Sequence, residues 1–143
     1  MKRTEAREKT FKLLYSLEIQ KEYKEEQIDL YIEQNEIVDE NAKTYIKNVV
    51  KGVIENKNEI QKTISKYLKE DWTIDRISKV NLAVLEIAIY EIKYEDTPYK
   101  VVINEAVELA KKYGDNTSKS FVNGILASVV QGKEEEWNLN LYL

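Results

Sequence analysis

Chain breakers are scarce in this sequence, with one proline and four glycines in 143 residues. Sandwiches, barrels and glycine-rich nucleotide loops need many residues at special backbone angles, so all three are disfavoured. The apolar residues recur instead at the helical period, and an all-α domain is predicted. A chain of this size buries roughly 70% of the surface its unfolded form exposes, so it can build an ordinary core without staples. Cysteine and histidine are both absent. Their absence removes disulfides, thiolate zinc sites, Cys or His nucleophiles and imidazole acid–base catalysis.

The first apolar stripe, Ala6, Thr10, Leu13, Leu14 and Leu17, widened by Phe11, Tyr15 and Ile19, predicts a helix over residues 3–20. A short amphipathic stretch carrying Ile28, Tyr31 and Ile32 follows a polar connection. Asp39 is a good N-cap for a helix that buries Ala42, Tyr45, Ile46, Val49, Val50, Val53 and Ile54. The polar interval 55–59 predicts a break before the stripe resumes at Ile60, Ile64, Tyr67 and Leu68. Thr73 is expected to cap a helix running from Ile77 to Ile92, apolar on more than one stripe and therefore central. Pro98 opens the next helix near Lys100, which closes at Tyr113 with Gly114 beyond it. Ser118 is expected to cap a last helix ending near Gly132. The expected architecture is a single domain over 1–132 of about six or seven helices, in two helical halves divided near residue 70. The tail 133–143 is unplaced.

Charge is unevenly distributed. Residues 1–12 hold Lys2, Arg3, Arg7, Lys9 and Lys12 against Glu5 and Glu8, a local +3, so the other 131 residues carry −7 within a net charge of −4. Two of the three arginines, Arg3 and Arg7, lie in this basic pole one helical turn apart, where forked donors could grip phosphate. No apolar run approaches the ~20 residues of a membrane span, and Glu5 and Glu8 interrupt any signal peptide, so a cytoplasmic protein is expected. The carboxylate groups Glu25 with Glu26, Glu105 with Glu108, and Glu134 to Glu136 invite a metal or acid–base reading. Helical di-metal sites also use Glu-x-x-His ligands, and without histidine a solvated or structural role is the better expectation, with no metal and no cofactor.

The run Val101-Val102-Ile103-Asn104-Glu105-Ala106-Val107-Glu108-Leu109-Ala110-Lys111, followed by Ser118-Lys119-Ser120-Phe121-Val122-Asn123-Gly124-Ile125-Leu126, resembles the C-terminal signature of the NusB family. Ala6-Arg7-Glu8 with Leu14-Tyr15 resembles its first helix. Trp72, Asp75-Arg76-Ile77 and the run from Ala83 to Glu91 resemble its central helix. The resemblance spans about residues 3–130 in order. It implies an all-helical, noncatalytic antitermination factor that binds boxA RNA together with the ribosomal protein NusE. The pair would act on RNA polymerase with other Nus factors in ribosomal RNA operons. The family's RNA surface maps onto Lys2, Arg3 and Arg7, then Ser118, Lys119 and Phe121. Thr4 and Glu5 stand where some members place further arginines, which implies weak RNA affinity for the protein alone. The partner surface maps onto Tyr15, Arg76, Val80, Asn81 and Leu85, with Asn81 where members often carry an acid.

One position, Phe121, carries an open reading. Phe121 is either a core residue or an exposed platform for a base. Asn104, Glu105 and Asn123 lie near apolar faces and are expected to tie helix ends and loops together by hydrogen bonds. The competing function is a noncatalytic protein-interaction module, since NusB-like domains also occur fused to RNA-modifying methyltransferases. That architecture needs a glycine-rich cofactor loop, which these residues do not contain. A homodimer stays open as an assembly.

Overall fold

The computed structural model describes the backbone of residues 1–141 and the side chains through residue 134. Seven α-helices follow in order: α1 Arg3–Gln20, α2 Glu26–Gln34, α3 Glu40–Glu55, α4 Lys57–Lys66, α5 Lys79–Tyr94, α6 Tyr99–Tyr113 and α7 Ser118–Leu141. A single 3-10 turn, Ile74–Arg76, precedes α5. Asp39 caps α3 as expected, its Oδ1 accepting from the Asn41 backbone N–H at 3.0 Å. Asn56 makes the break between α3 and α4, its amide donating back to the Gly52 carbonyl at 2.8 Å.

Helix α5 is the axis of the fold, packing against α1, α3, α4, α6 and α7. Its run from Asn81 to Ile89 is buried on every side, as its unbroken apolar sequence requires. Leu85 and Ile89 are fully enclosed, which stabilises the fold by ~1.5–3 kcal/mol per side chain. Gly52 lets α3 come close to α5, because a Cβ there would overlap the Tyr90 ring. One continuous apolar core joins residues of α1 through α7, and the segment near residue 70 is the loop between α4 and the 3-10 turn.

Three expected boundaries move. Thr73 does not cap α5; its hydroxyl donates to Asp75 within the 3-10 turn at 2.6 Å. Ser78 takes the role, its Oγ accepting from the Asn81 backbone N–H at 3.1 Å. Ser118 is the first residue of α7, and the Thr117 carbonyl already accepts from the Phe121 N–H. Finally, α7 does not end near Gly132. The glycine is a notch rather than a stop, since a Cβ at that position would overlap the Tyr67 hydroxyl. The tail from Lys133 therefore continues the helix to Leu141, and the last two residues of the expected tail lie outside the described residues.

Candidate nucleic-acid interface

Arg3 and Arg7 share a helix face but have opposite fates. Arg7 is only 4% exposed. Its Nε lies 2.9 Å from one carboxylate oxygen of Glu91 and its Nη2 lies 2.9 Å from the other, a two-point pair in the core. Burial works against the guanidinium's charge, but the hydrogen bonds and charge of Glu91 outweigh it and hold the group above its ordinary value. Arg7 is thus not a phosphate grip. The i, i+4 rule puts the two arginines on one face, and at Arg7 that face is already inside the protein.

Arg3 lies at the helix end, exposed, with its guanidinium carbon 4.3 Å from the centre of the Tyr45 ring. Among the described residues no carboxylate pairs with it. Lys2, the residue before the helix, is likewise exposed and has no ion pair among the described residues. The chain start is pinned nearby, where the Met1 ammonium lies 2.8 Å from Asp39. That hydrogen bond raises the amine and lowers the carboxyl from their ordinary values. Lys2 and Arg3 therefore form an exposed basic pole.

A second cluster lies farther along α1. Lys12 and Lys112 both sit over the Tyr113 ring, at 5.8 and 5.5 Å, and Tyr113 packs on Phe11 with centroids 5.0 Å apart. Lys112 also bonds Glu8 at 2.7 Å, which holds that carboxyl below its usual value despite partial burial. Tyr113 leads into the α6–α7 turn, where the Asp115 carboxylate accepts from the Thr117 N–H at 2.8 Å. Just beyond the turn, Lys119 is exposed. Ser118 is buried, and its hydroxyl accepts from the Asp115 N–H at 3.0 Å, so it shapes the turn and is closed to RNA. Phe121 is half-buried against the core and half-open, which meets neither of its two readings in full.

The residues expected at the partner surface also divide. Arg76 is exposed, lying 5.7 Å from the Trp72 ring, and Trp72 is itself 44% exposed. Val80 and Tyr15 are half-buried, and Tyr15 packs on Phe11 at 6.0 Å. Asn81 is largely buried, with a side-chain oxygen that meets no donor. Leu85 is completely enclosed and cannot touch a partner; its place on an all-round apolar helix gave it no outward side. Among the polar residues expected to tie loops, Glu105 does so, accepting from the Thr4 hydroxyl at 2.7 Å. Asn104 and Asn123 do not: both are exposed, and neither side chain makes a bond among the described residues.

Tyr45, Lys12, Lys112 and Tyr113 were not singled out from sequence as interface residues. Each pairing joins residues far apart in the chain, Arg3 with Tyr45 and Lys12 with Tyr113, and no local spacing announces it. A different surprise is Glu86 on α5, which is fully buried and bonds Glu18 on α1. Burial first, then the hydrogen bond and charge of Glu18, push the Glu86 carboxyl up to about 9. Glu86 therefore keeps its proton at neutral pH and faces the Glu18 carboxylate with it, which accounts for its otherwise unpartnered oxygen.

Residues 4–131 match the model of the NusB family. This chain belongs to the NusB family. The transcription antitermination protein NusB of Acetivibrio thermocellus is 52% identical over 134 residues, covering 93% of this chain and 91% of that protein. The structure of T. maritima NusB superposes with a TM-score of 0.84 at 34% identity, covering 92% of each chain. The NusB fold also matches a chain from a crystal structure of antitermination factors NusB and NusE in complex with dsRNA. That match has a TM-score of 0.82 and 28% identity, covering 91% of this chain and 96% of the other. NusB proteins are transcription antitermination factors, a noncatalytic class, and this chain is one of them.

Proposed function

We propose that this NusB-family chain binds boxA RNA together with NusE, and that the pair modifies RNA polymerase, with other Nus factors, in ribosomal RNA operons of the bacterial cytoplasm. The observation that carries the reading is the basic pole of Lys2 and Arg3. Both cations are exposed, neither is neutralised by a carboxylate among the described residues, and Arg3 lies over an aromatic ring. The cations Lys12, Lys112 and Lys119 and the half-open Phe121 extend the surface toward the α6–α7 turn, giving phosphate contacts and a base platform together. Tyr15, Arg76 and Val80 form the NusE-facing surface.

The buried Arg7 favours one specific consequence: with one arginine removed from the pole, the protein alone binds RNA weakly. NusE, a basic protein, supplies the missing charge. The test is a titration of a short boxA RNA with the protein, with NusE and with both, at several salt concentrations. Tighter binding by the pair than by either protein supports the reading. A pair that assembles but gains no RNA affinity favours the protein-interaction module instead.

A further inference from the structure

We propose that Tyr45 is a positioning residue of the RNA-binding surface: its ring holds the Arg3 guanidinium flat at the start of α1, with the N–H fork free for a phosphate. The proposal deepens the RNA-binding reading above and rests on it. The guanidinium carbon lies 4.3 Å from the ring centre, stacking distance for a planar cation on a π-face. Tyr45 is only 5% exposed, so its ring is a fixed wall rather than a mobile side chain. Arg7 lies 5.8 Å from the same ring, and its charge is taken by Glu91 at two points, with a Glu105 carboxylate oxygen 3.6 Å from its Nη1. The core therefore neutralises Arg7 internally, and the only guanidinium left facing solvent on this helix is the one the ring carries.

The arrangement matters because a free arginine loses much side-chain freedom when it grips a phosphate. A guanidinium already stacked has lost part of that freedom before RNA arrives. Its donors lie in the plane of the group, so stacking covers the face and leaves the edge open for a bidentate phosphate contact. A lysine could supply the charge but neither the flat stack nor the fork. The burial of Tyr45 and the charge of Glu91 raise its hydroxyl, so the ring stays neutral across the working pH range.

The test is a double-mutant cycle read by binding to the same boxA RNA in the presence of NusE. Tyr45→Leu should weaken binding about two- to fivefold in the native background, the fold-change a surface cation–π contact represents. In the Arg3→Ala background the same substitution should have no further effect. Tyr45→Phe keeps the ring and removes only the hydroxyl, and should bind RNA like the native protein. Arg3→Lys, which leaves the core untouched, should weaken binding while preserving the dependence on salt. An independent reading needs no variant: in the NMR spectrum of the unmodified protein, the Arg3 δ-protons should be displaced upfield by the Tyr45 ring current. The proposal is overturned if Tyr45→Leu weakens binding equally with and without Arg3. It is also overturned if Arg3→Lys binds as the native protein does, or if the δ-protons resonate at unstructured values. Should Arg3→Ala itself leave RNA affinity and salt slope unchanged, the RNA surface assignment falls and the positioning claim with it. That outcome is distinct from an Arg3 effect that does not depend on Tyr45.

Discussion

Arg7 on α1 and Glu91 on α5 close a two-point ion pair inside the protein, with both bonds at 2.9 Å. The pair fastens the basic helix to the central one, so its loss is a matter of stability first. Arg7→Ala leaves a buried carboxylate without its partner and should destabilise the fold by ~3–5 kcal/mol. Urea denaturation checks this, and the folded fraction should keep the salt dependence of RNA binding. A variant of native stability with a shallower salt slope would return Arg7 to the RNA surface.

The proton held by Glu86 beside Glu18 sets a pH dependence with a definite sign. The folded-state value of Glu86, about 9, lies above the ordinary 4.5, so its favourable contribution is complete below about pH 4.5. That contribution is lost as the pH rises through 9, because the unfolded chain releases the proton earlier. Lys57, 3.9 Å from the Glu18 carboxylate, and Gln61 offset the repulsion only in part. Glu86→Gln should therefore stabilise the protein by ~1–3 kcal/mol at pH 8 and flatten the fall between pH 6 and 9. Equal urea midpoints for native and variant protein across that range would show that Glu86 does not hold the proton.

Phe121 should report on both of its surroundings at once. Its half-buried ring packs against the core, so Phe121→Ala should cost about 1–3 kcal/mol, less than the ~3–5 kcal/mol of a fully enclosed ring. The open half should also matter to RNA, with binding weakened by ~1–3 kcal/mol and the salt slope nearly unchanged, because stacking releases no counterions. Denaturation and anisotropy titrations on one variant measure the two effects separately. A change in only one would assign the ring wholly to core or wholly to interface.

Most of the fold was legible in the apolar periodicity. The helix predicted over residues 3–20 has the bounds of α1, although Ile19 of its stripe is exposed, Asp39 caps where expected, and the all-round apolar run ending at Ile92 is indeed the central helix. Misreadings came from residues whose role depends on something distant. Gly132 resembles a helix stop until Tyr67 is seen to fill the notch, and Thr73 resembles an N-cap until the 3-10 turn takes it. The site was less legible for the same reason. Spacing placed Arg3 and Arg7 together, but only the position of Glu91 on another helix decides that one faces inward. Leu85 and Ser118 were matched to the family's surfaces by alignment of motifs alone, which carries no information about burial.

We propose that the exposed pole of Lys2 and Arg3 contacts RNA phosphate while the buried Arg7 does not. The most direct measurement is the slope of log affinity against log salt for boxA RNA bound by the protein with NusE, compared between the native chain and Lys2→Ala/Arg3→Ala. Each phosphate contact on a single strand contributes about 0.7 to the slope, so removing both should flatten it by about 1.4 and weaken binding at low salt. An unchanged slope and affinity, in a double variant shown by circular dichroism to be folded, would contradict the account.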